Sequence, residues 1–87
     1  MDIKNLNKES KMDLIKSGIE KMLEQYERKV KDCDVLLNSL KEKIRGYRAA
    51  KSLDFVNECL STRSTINARR QAYVQAAVDI ESLLDHL

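Results

Sequence analysis

The chain has 87 residues, with 16 Lys and Arg against 14 Asp and Glu, no proline and only two glycines. This length suits one small domain, and the scarcity of turn residues argues against a sheet, so the composition predicts an all-α protein. A formal net charge of +2 is too small for the strong overall field of a dedicated nucleic-acid-binding protein.

The first part of the chain predicts one long helix. Residues 1–9 are mostly polar and are predicted to form a flexible N-terminal tail, with Ser10 as the N-cap of a helix over about 10–46. Apolar residues recur in that helix at spacings of three and four. Its main line repeats every seven residues through Met12, Ile19, Tyr26, Cys33, Leu40 and Tyr47. Such a heptad repeat is typical of a coiled-coil-like seam.

A second heptad line follows a turn predicted at about 46–52, where Gly46 or Ser52 marks the boundary. It runs through a predicted helix over about 52–87 and contains Ser52, Cys59, Ile66, Tyr73, Ile80 and Leu87. The two lines mirror each other about a point between residues 49 and 50. The two repeats, more than their symmetry, predict that residues 10–87 form a single domain, a long antiparallel helical hairpin. The same pattern also fits two chains that exchange helices.

Residues 61–65 interrupt the apolar pattern of the second helix. Ser and Thr side chains there compete for backbone hydrogen bonds, so a kink or break in this segment is one alternative. A continuous helix is the favoured alternative, because the segment contains neither proline nor glycine.

Apolar residues beyond the two heptad lines indicate that the hairpin needs a partner. Two helices side by side bury only one thin seam, which leaves Leu14, Leu23 and Val78, among others, outside it. We therefore expect a homodimer packed as a four-helix assembly. A groove shared with a different protein is the second alternative, and a monomeric fold with a third helix beginning near Thr62 is the third.

The sequence shows none of the motifs typical of catalysis, cofactor binding or metal binding. The chain has no glycine-rich phosphate loop and no Cys/His metal spacing, and its single histidine, His86, is the penultimate residue. Asp32 and Asp34 fall on different faces of a helix and do not converge. Cys33 and Cys59 are expected about 10 Å apart in the hairpin, too far for an unstrained disulfide. We expect a protein without enzymatic activity, cofactor or metal.

Localisation follows from the same composition. Apolar runs in the sequence never exceed three residues, and the N-terminal segment lacks the pattern of a signal peptide. The sequence therefore predicts a cytoplasmic protein that does not contact membranes, with its thiols reduced.

Two basic clusters are the candidate partner-binding residues. The first cluster lies in the basic run over residues 41–51, and the second lies in a stretch without acidic residues between Cys59 and Val78. The candidate residues are Lys43, Arg45 and Arg48 in the first cluster and Arg63, Arg69 and Arg70 in the second. They fit an acidic protein surface or phosphate groups. Solvated arginines paired with Glu24, Glu27 or Asp34 are the alternative.

The sequence as a whole predicts a small interaction module that docks a helix face onto a protein partner, as an adaptor, co-chaperone or inhibitor. The core seam and self-association residues are predicted to be Met12, Ile19, Tyr26, Cys33, Leu40, Cys59, Ile66, Tyr73 and Ile80. The alternative function is a small nucleic-acid-binding or transcription-modulating protein that uses the basic clusters. Its weakness is the low aromatic content of 5%, which leaves little for base stacking.

Overall fold

The computed structural model describes the backbone of residues 3–87 and the side chains of residues 10–87. It contains two helices, α1 (Ile3–Ala49) and α2 (Leu53–Asp85), which pack antiparallel as a helical hairpin. The molecule measures 74 × 15 × 13 Å, and its length is close to the roughly 70 Å expected for the 47 residues of α1 at about 1.5 Å per residue. The predicted all-α hairpin is confirmed.

The helix boundaries differ from those expected. The backbone of residues 3–9 belongs to α1, so the helix begins before Ser10, which is not its N-cap. No proline or glycine occurs between Ile3 and Ser17 to end a helix in this segment. Met1 and Asp2, the remainder of the predicted tail, lie outside the described residues.

The turn closes with a Schellman motif at the end of α1. The Ser52 backbone N–H donates to the Tyr47 carbonyl at 2.9 Å, and the Lys51 N–H donates to the Arg48 carbonyl at 3.1 Å. Lys51 adopts the left-handed conformation with φ of 59°, at the position that glycine usually occupies in this motif. The helix therefore passes through Gly46, and Ser52 makes no side-chain cap to α2.

The register of the hairpin follows the mirrored heptads. The rings of Tyr26 and Tyr73 lie 6.1 Å apart between centroids, as the mirror centre predicts. Lys29 Nζ lies over both rings, 5.1 Å from the Tyr26 centroid and 5.3 Å from the Tyr73 centroid. Closer to the turn, Tyr47 stacks on Phe55 at 5.1 Å. Aromatic contacts thus hold the two helices together at two levels.

A small core lies between the two helices near the turn. Its buried side chains are Cys33, Leu40, Ile44, Val56, Cys59 and Ile66, and Leu37, Tyr47, Leu60 and Tyr73 pack against them. Both cysteines are free thiols, as the predicted spacing required. The core buries aliphatic and sulfur-containing side chains, and none of its members is polar or charged.

The Ser/Thr-rich segment of α2 is helical throughout, because the helix is continuous from Leu53 to Asp85. Thr62 Oγ1 donates to the Glu58 carbonyl at 3.0 Å, and Thr65 Oγ1 donates to the Ser61 carbonyl at 3.3 Å. Each hydroxyl is satisfied within the helix, so the two threonines do not break it. The break considered for residues 61–65 is absent, and the kink considered there stays a prediction.

The predicted seam residues divide by depth. Cys33, Leu40, Cys59 and Ile66 are buried, whereas Ile19, Tyr26, Tyr73 and Ile80 are only half-buried. Met12 is 46% exposed and is not part of the intrachain core. The reason is geometric, since its mirror position is Leu87 and α2 ends at Asp85.

Candidate interaction surface

Charged and apolar side chains from both helices share one face of the hairpin. On α1, Glu27, Asp34, Lys41 and Arg48 follow one another at intervals of seven residues, and on α2 Arg63, Arg70 and Ala77 do the same. Residues seven apart lie on one stripe of a helix. Grooves and an ion pair join the two stripes, so we refer to this side as the groove face.

Four cations occupy the part of the groove face nearest the turn. Lys41, Arg45 and Arg48 from α1 and Arg63 from α2 line one groove together with the core residue Ile44. We call it the basic groove. Arg45 makes a 3.7 Å ion pair with Glu42, but both side chains are about 70% exposed and a contact of this kind is weak. The groove therefore presents a concentrated positive charge with no acidic side chain in its lining.

An ion pair crosses the hairpin in the middle of the groove face. Arg70 Nε donates to Asp34 Oδ1 at 2.6 Å. The two side chains are 38% and 48% exposed, so solvent screens the pair and its contribution to stability is small, about 0–1 kcal/mol.

A second groove opens on the other side of this ion pair. It is lined by Val30, Val74, Ala77 and Val78 from both helices, together with the charged residues Glu27, Lys31 and Glu81. We call it the apolar groove. Val78 is 51% exposed, and the other three apolar residues are half-buried. The hairpin alone leaves this apolar surface in contact with water, which favours its use as an interface.

The structure separates the six predicted partner-binding residues into three groups. Arg45, Arg48 and Arg63 meet in the basic groove. Arg70 forms the ion pair with Asp34, as the solvated-arginine alternative expected. Lys43 and Arg69 are exposed and line neither groove.

Sequence reasoning missed the apolar groove as a site. The two helices contribute residues that are distant in the chain, and no single stretch shows that Val30 lies beside Val74. The seven-residue spacing of Glu27, Asp34 and Lys41 was the available signal. It marks a stripe that runs beside the seam.

Within the side chains described, residues 10–87, no three His, Cys, Asp or Glu side chains come close enough together to hold a metal ion. Cys33 and Cys59 are buried and out of reach of a substrate. The His86 ring nitrogen Nδ1 lies 2.6 Å from the Ser82 carbonyl, a local contact one turn back along the same helix.

Neither described helix has an apolar stretch long enough to cross a membrane. Comparison of the sequence with protein-family models gave no match, and comparisons with curated proteins and with solved structures gave no significant similarity.

Proposed function

We propose that this protein is a non-enzymatic interaction module that docks a protein partner on its groove face, in an adaptor, co-chaperone or inhibitor role. The observation that carries the proposal is the apolar groove, where Val30, Val74 and Val78 from two helices form one accessible apolar surface. A helix from a partner fits such a surface by inserting an apolar stripe between the two helices. Glu27, Lys31 and Glu81 then supply the charged border that sets its orientation.

Site-specific photo-crosslinking in cells of the source organism tests this proposal. A photo-reactive amino acid replaces Val78 in the apolar groove or, as a matched control, Val35, which is 67% exposed and lines neither groove. We expect a discrete protein adduct from position 78 and none from position 35. Equal adducts from both positions, or none from position 78, would refute docking on the groove face.

A substitution pair sharpens the same test. A photo-reactive amino acid at position 74 reports partner binding in this test. Val78→Asp places a charge in the apolar groove and should abolish crosslinking of the partner from position 74, because the partner would have to desolvate the carboxylate. Val35→Asp makes the same change outside the groove and should leave recovery intact. Circular dichroism spectra of both variants should match that of the unmodified protein, since both side chains are exposed.

The basic groove favours nucleic-acid binding as a second candidate function, because four cations line it without an acidic side chain. Phosphate contacts release counterions, so the affinity for a labelled duplex should fall steeply as salt is added. Arg48→Glu combined with Arg63→Glu should abolish binding, whereas Lys43→Glu combined with Arg69→Glu should retain most of it. Equal losses in both double variants, or no binding at low salt, would exclude this function.

A further inference from the structure

We propose that the partner on the groove face is a second copy of this chain, docked antiparallel so that the basic groove of each copy covers the apolar groove of the other. This inference rests on the proposed function and names its partner. The resulting contact is isologous, since each copy contributes the same surface. It joins two hairpins into a four-helix assembly.

The arrangement of the groove face carries this inference, because the two grooves lie on opposite sides of the Asp34–Arg70 ion pair at similar distances. With about 1.5 Å of rise per residue, Arg48 lies about 21 Å from Asp34 toward the turn. Glu81, placed by the Tyr26–Tyr73 register, lies about 24 Å from Asp34 in the opposite direction. A two-fold axis through the ion pair, perpendicular to the helices, therefore brings each groove over the other groove of the second copy.

The charges of the two grooves are complementary in this arrangement. The basic groove contains four cations, and the apolar groove contains two carboxylates, Glu27 and Glu81, with one cation, Lys31. In each antiparallel contact the strongly positive basic groove of one copy therefore faces the apolar groove of the other, whose lining has a net negative charge. A parallel arrangement of the two copies would place the basic grooves against each other, which like-charge repulsion disfavours.

The long arginine side chains also match the apolar lining. Arg45 and Arg48 are exposed and carry methylene stems that can cover Val74 and Val78 of the second copy while their guanidinium groups reach its carboxylates. The same contact thus removes apolar surface from water and pairs the charges at its border.

The size of the groove face is close to that of a specific protein interface. The hairpin is 74 Å long and 15 Å wide, and specific interfaces bury about 800 Å² on each partner. About two thirds of this face, the part spanned by the two grooves, approaches that area.

Charge-reversal variants test the inference by sedimentation equilibrium. The unmodified protein should have twice the chain mass of 10.0 kDa at micromolar concentration. Lys41→Glu with Arg45→Glu and Arg48→Glu makes the basic groove acidic, because only Arg63 then remains as a cation in its lining. Glu27→Lys with Glu81→Lys makes the apolar groove basic. Each variant should dimerise at least about 100-fold more weakly, because like charges then face each other in both contacts.

Mixing the two charge-reversal variants provides the decisive result. In the mixed pair every reversed groove meets an oppositely charged one, so the equimolar mixture should form a heterodimer at a concentration where each variant alone is monomeric. Lys43→Glu with Arg69→Glu is the control, because it reverses two cations that line neither groove, and it should remain dimeric. All substituted side chains are exposed, and circular dichroism verifies that each variant folds.

Three results would overturn the inference: a monomeric unmodified protein, groove charge-reversal variants that remain dimeric, or a mixture of these folded variants that remains monomeric. The crosslinking experiment at position 78 separates this failure from failure of the proposed function. A monomer that crosslinks to a different protein from position 78 refutes the second copy and supports the interaction module. A monomer without any adduct refutes both.

Discussion

The two ends of the hairpin carry the same heptad pattern and bury it to different depths. All six buried side chains lie within residues 33–66, which we call the turn half. The remainder, the open half, has half-buried Ile19, Tyr26 and Ile80 but leaves Met12, Ile15, Met22 and Leu83 each about half exposed. Periodicity therefore shows which side of a helix is apolar, whereas burial depends on what lies opposite.

Two features of the open half explain the exposure of Met22 and Met12. Small Ala76 and Ala77 occupy the register positions opposite Leu23 and Met22, and Met22 remains 49% exposed. Beyond them α1 continues past the end of α2, which stops at Asp85. We infer that the turn half stabilises the hairpin and that the open half supplies apolar surface for a partner.

Introducing a charged side chain should give the largest difference in stability between the two halves. Ile66 is 7% exposed and Ile15 is 52% exposed. Ile66→Asp should destabilise the hairpin by more than about 3 kcal/mol, because it leaves a carboxylate without a partner in the core. Ile15→Asp should change the free energy of unfolding by less than about 0.5 kcal/mol. Urea unfolding followed by circular dichroism measures both, and equal losses would refute the division into halves.

Truncating a leucine compares a buried and an exposed position within the turn half and should give a smaller difference. Leu40 is 9% exposed, and Leu36, one helical turn earlier, is 49% exposed. Leu40→Ala should cost about 2–5 kcal/mol through lost burial and the cavity left behind. Leu36→Ala should cost no more than about 0.5 kcal/mol. Thermal unfolding of the two variants at one protein concentration provides the comparison, and a Leu36→Ala loss as large as that of Leu40→Ala would contradict it.

Replacing the two glycines should give the smallest effects and show which half determines global stability. A Cβ atom at Gly18 or Gly46 would meet nothing within 4 Å, and neither glycine has a positive φ. Each change to Ala should favour the helix by about 0.5–1 kcal/mol. Gly46→Ala should raise the melting temperature, because Gly46 lies within the cooperative turn half.

Gly18→Ala acts in the open half and should chiefly slow local amide exchange, since segments with few buried contacts open independently of global unfolding. A rise in melting temperature as large as that of Gly46→Ala would show instead that both halves unfold as one unit.

Much of the fold could be predicted from the sequence because it depends on helical periodicity. The mirrored heptads predicted the hairpin, the pairing of Tyr26 with Tyr73 and the burial of Cys33 with Ile66. The spacing of the two cysteines predicted free thiols. These features depend on residues that repeat at the period of the helix, which a sequence displays directly.

Other features depend on local conformation or on contacts between distant residues. Lys51 closes the turn in a conformation typical of glycine, so its side chain gave no indication of the motif. The exposure of Met12 follows from the end of α2, which no residue near Met12 specifies. Among the basic candidates, only the three-dimensional structure separates Arg63 in the basic groove from Arg70 in its ion pair.

Hydrogen exchange measured by mass spectrometry at several protein concentrations tests the central claim most directly, because it reports on each half separately. If a second copy completes the open half, amides in residues 19–31 and 73–85 should exchange more slowly as the concentration rises through the dimerisation range. Amides in the core of the turn half, residues 33–44 and 56–66, should already be protected at low concentration and change little. Exchange in the open half that is independent of concentration would contradict the claim.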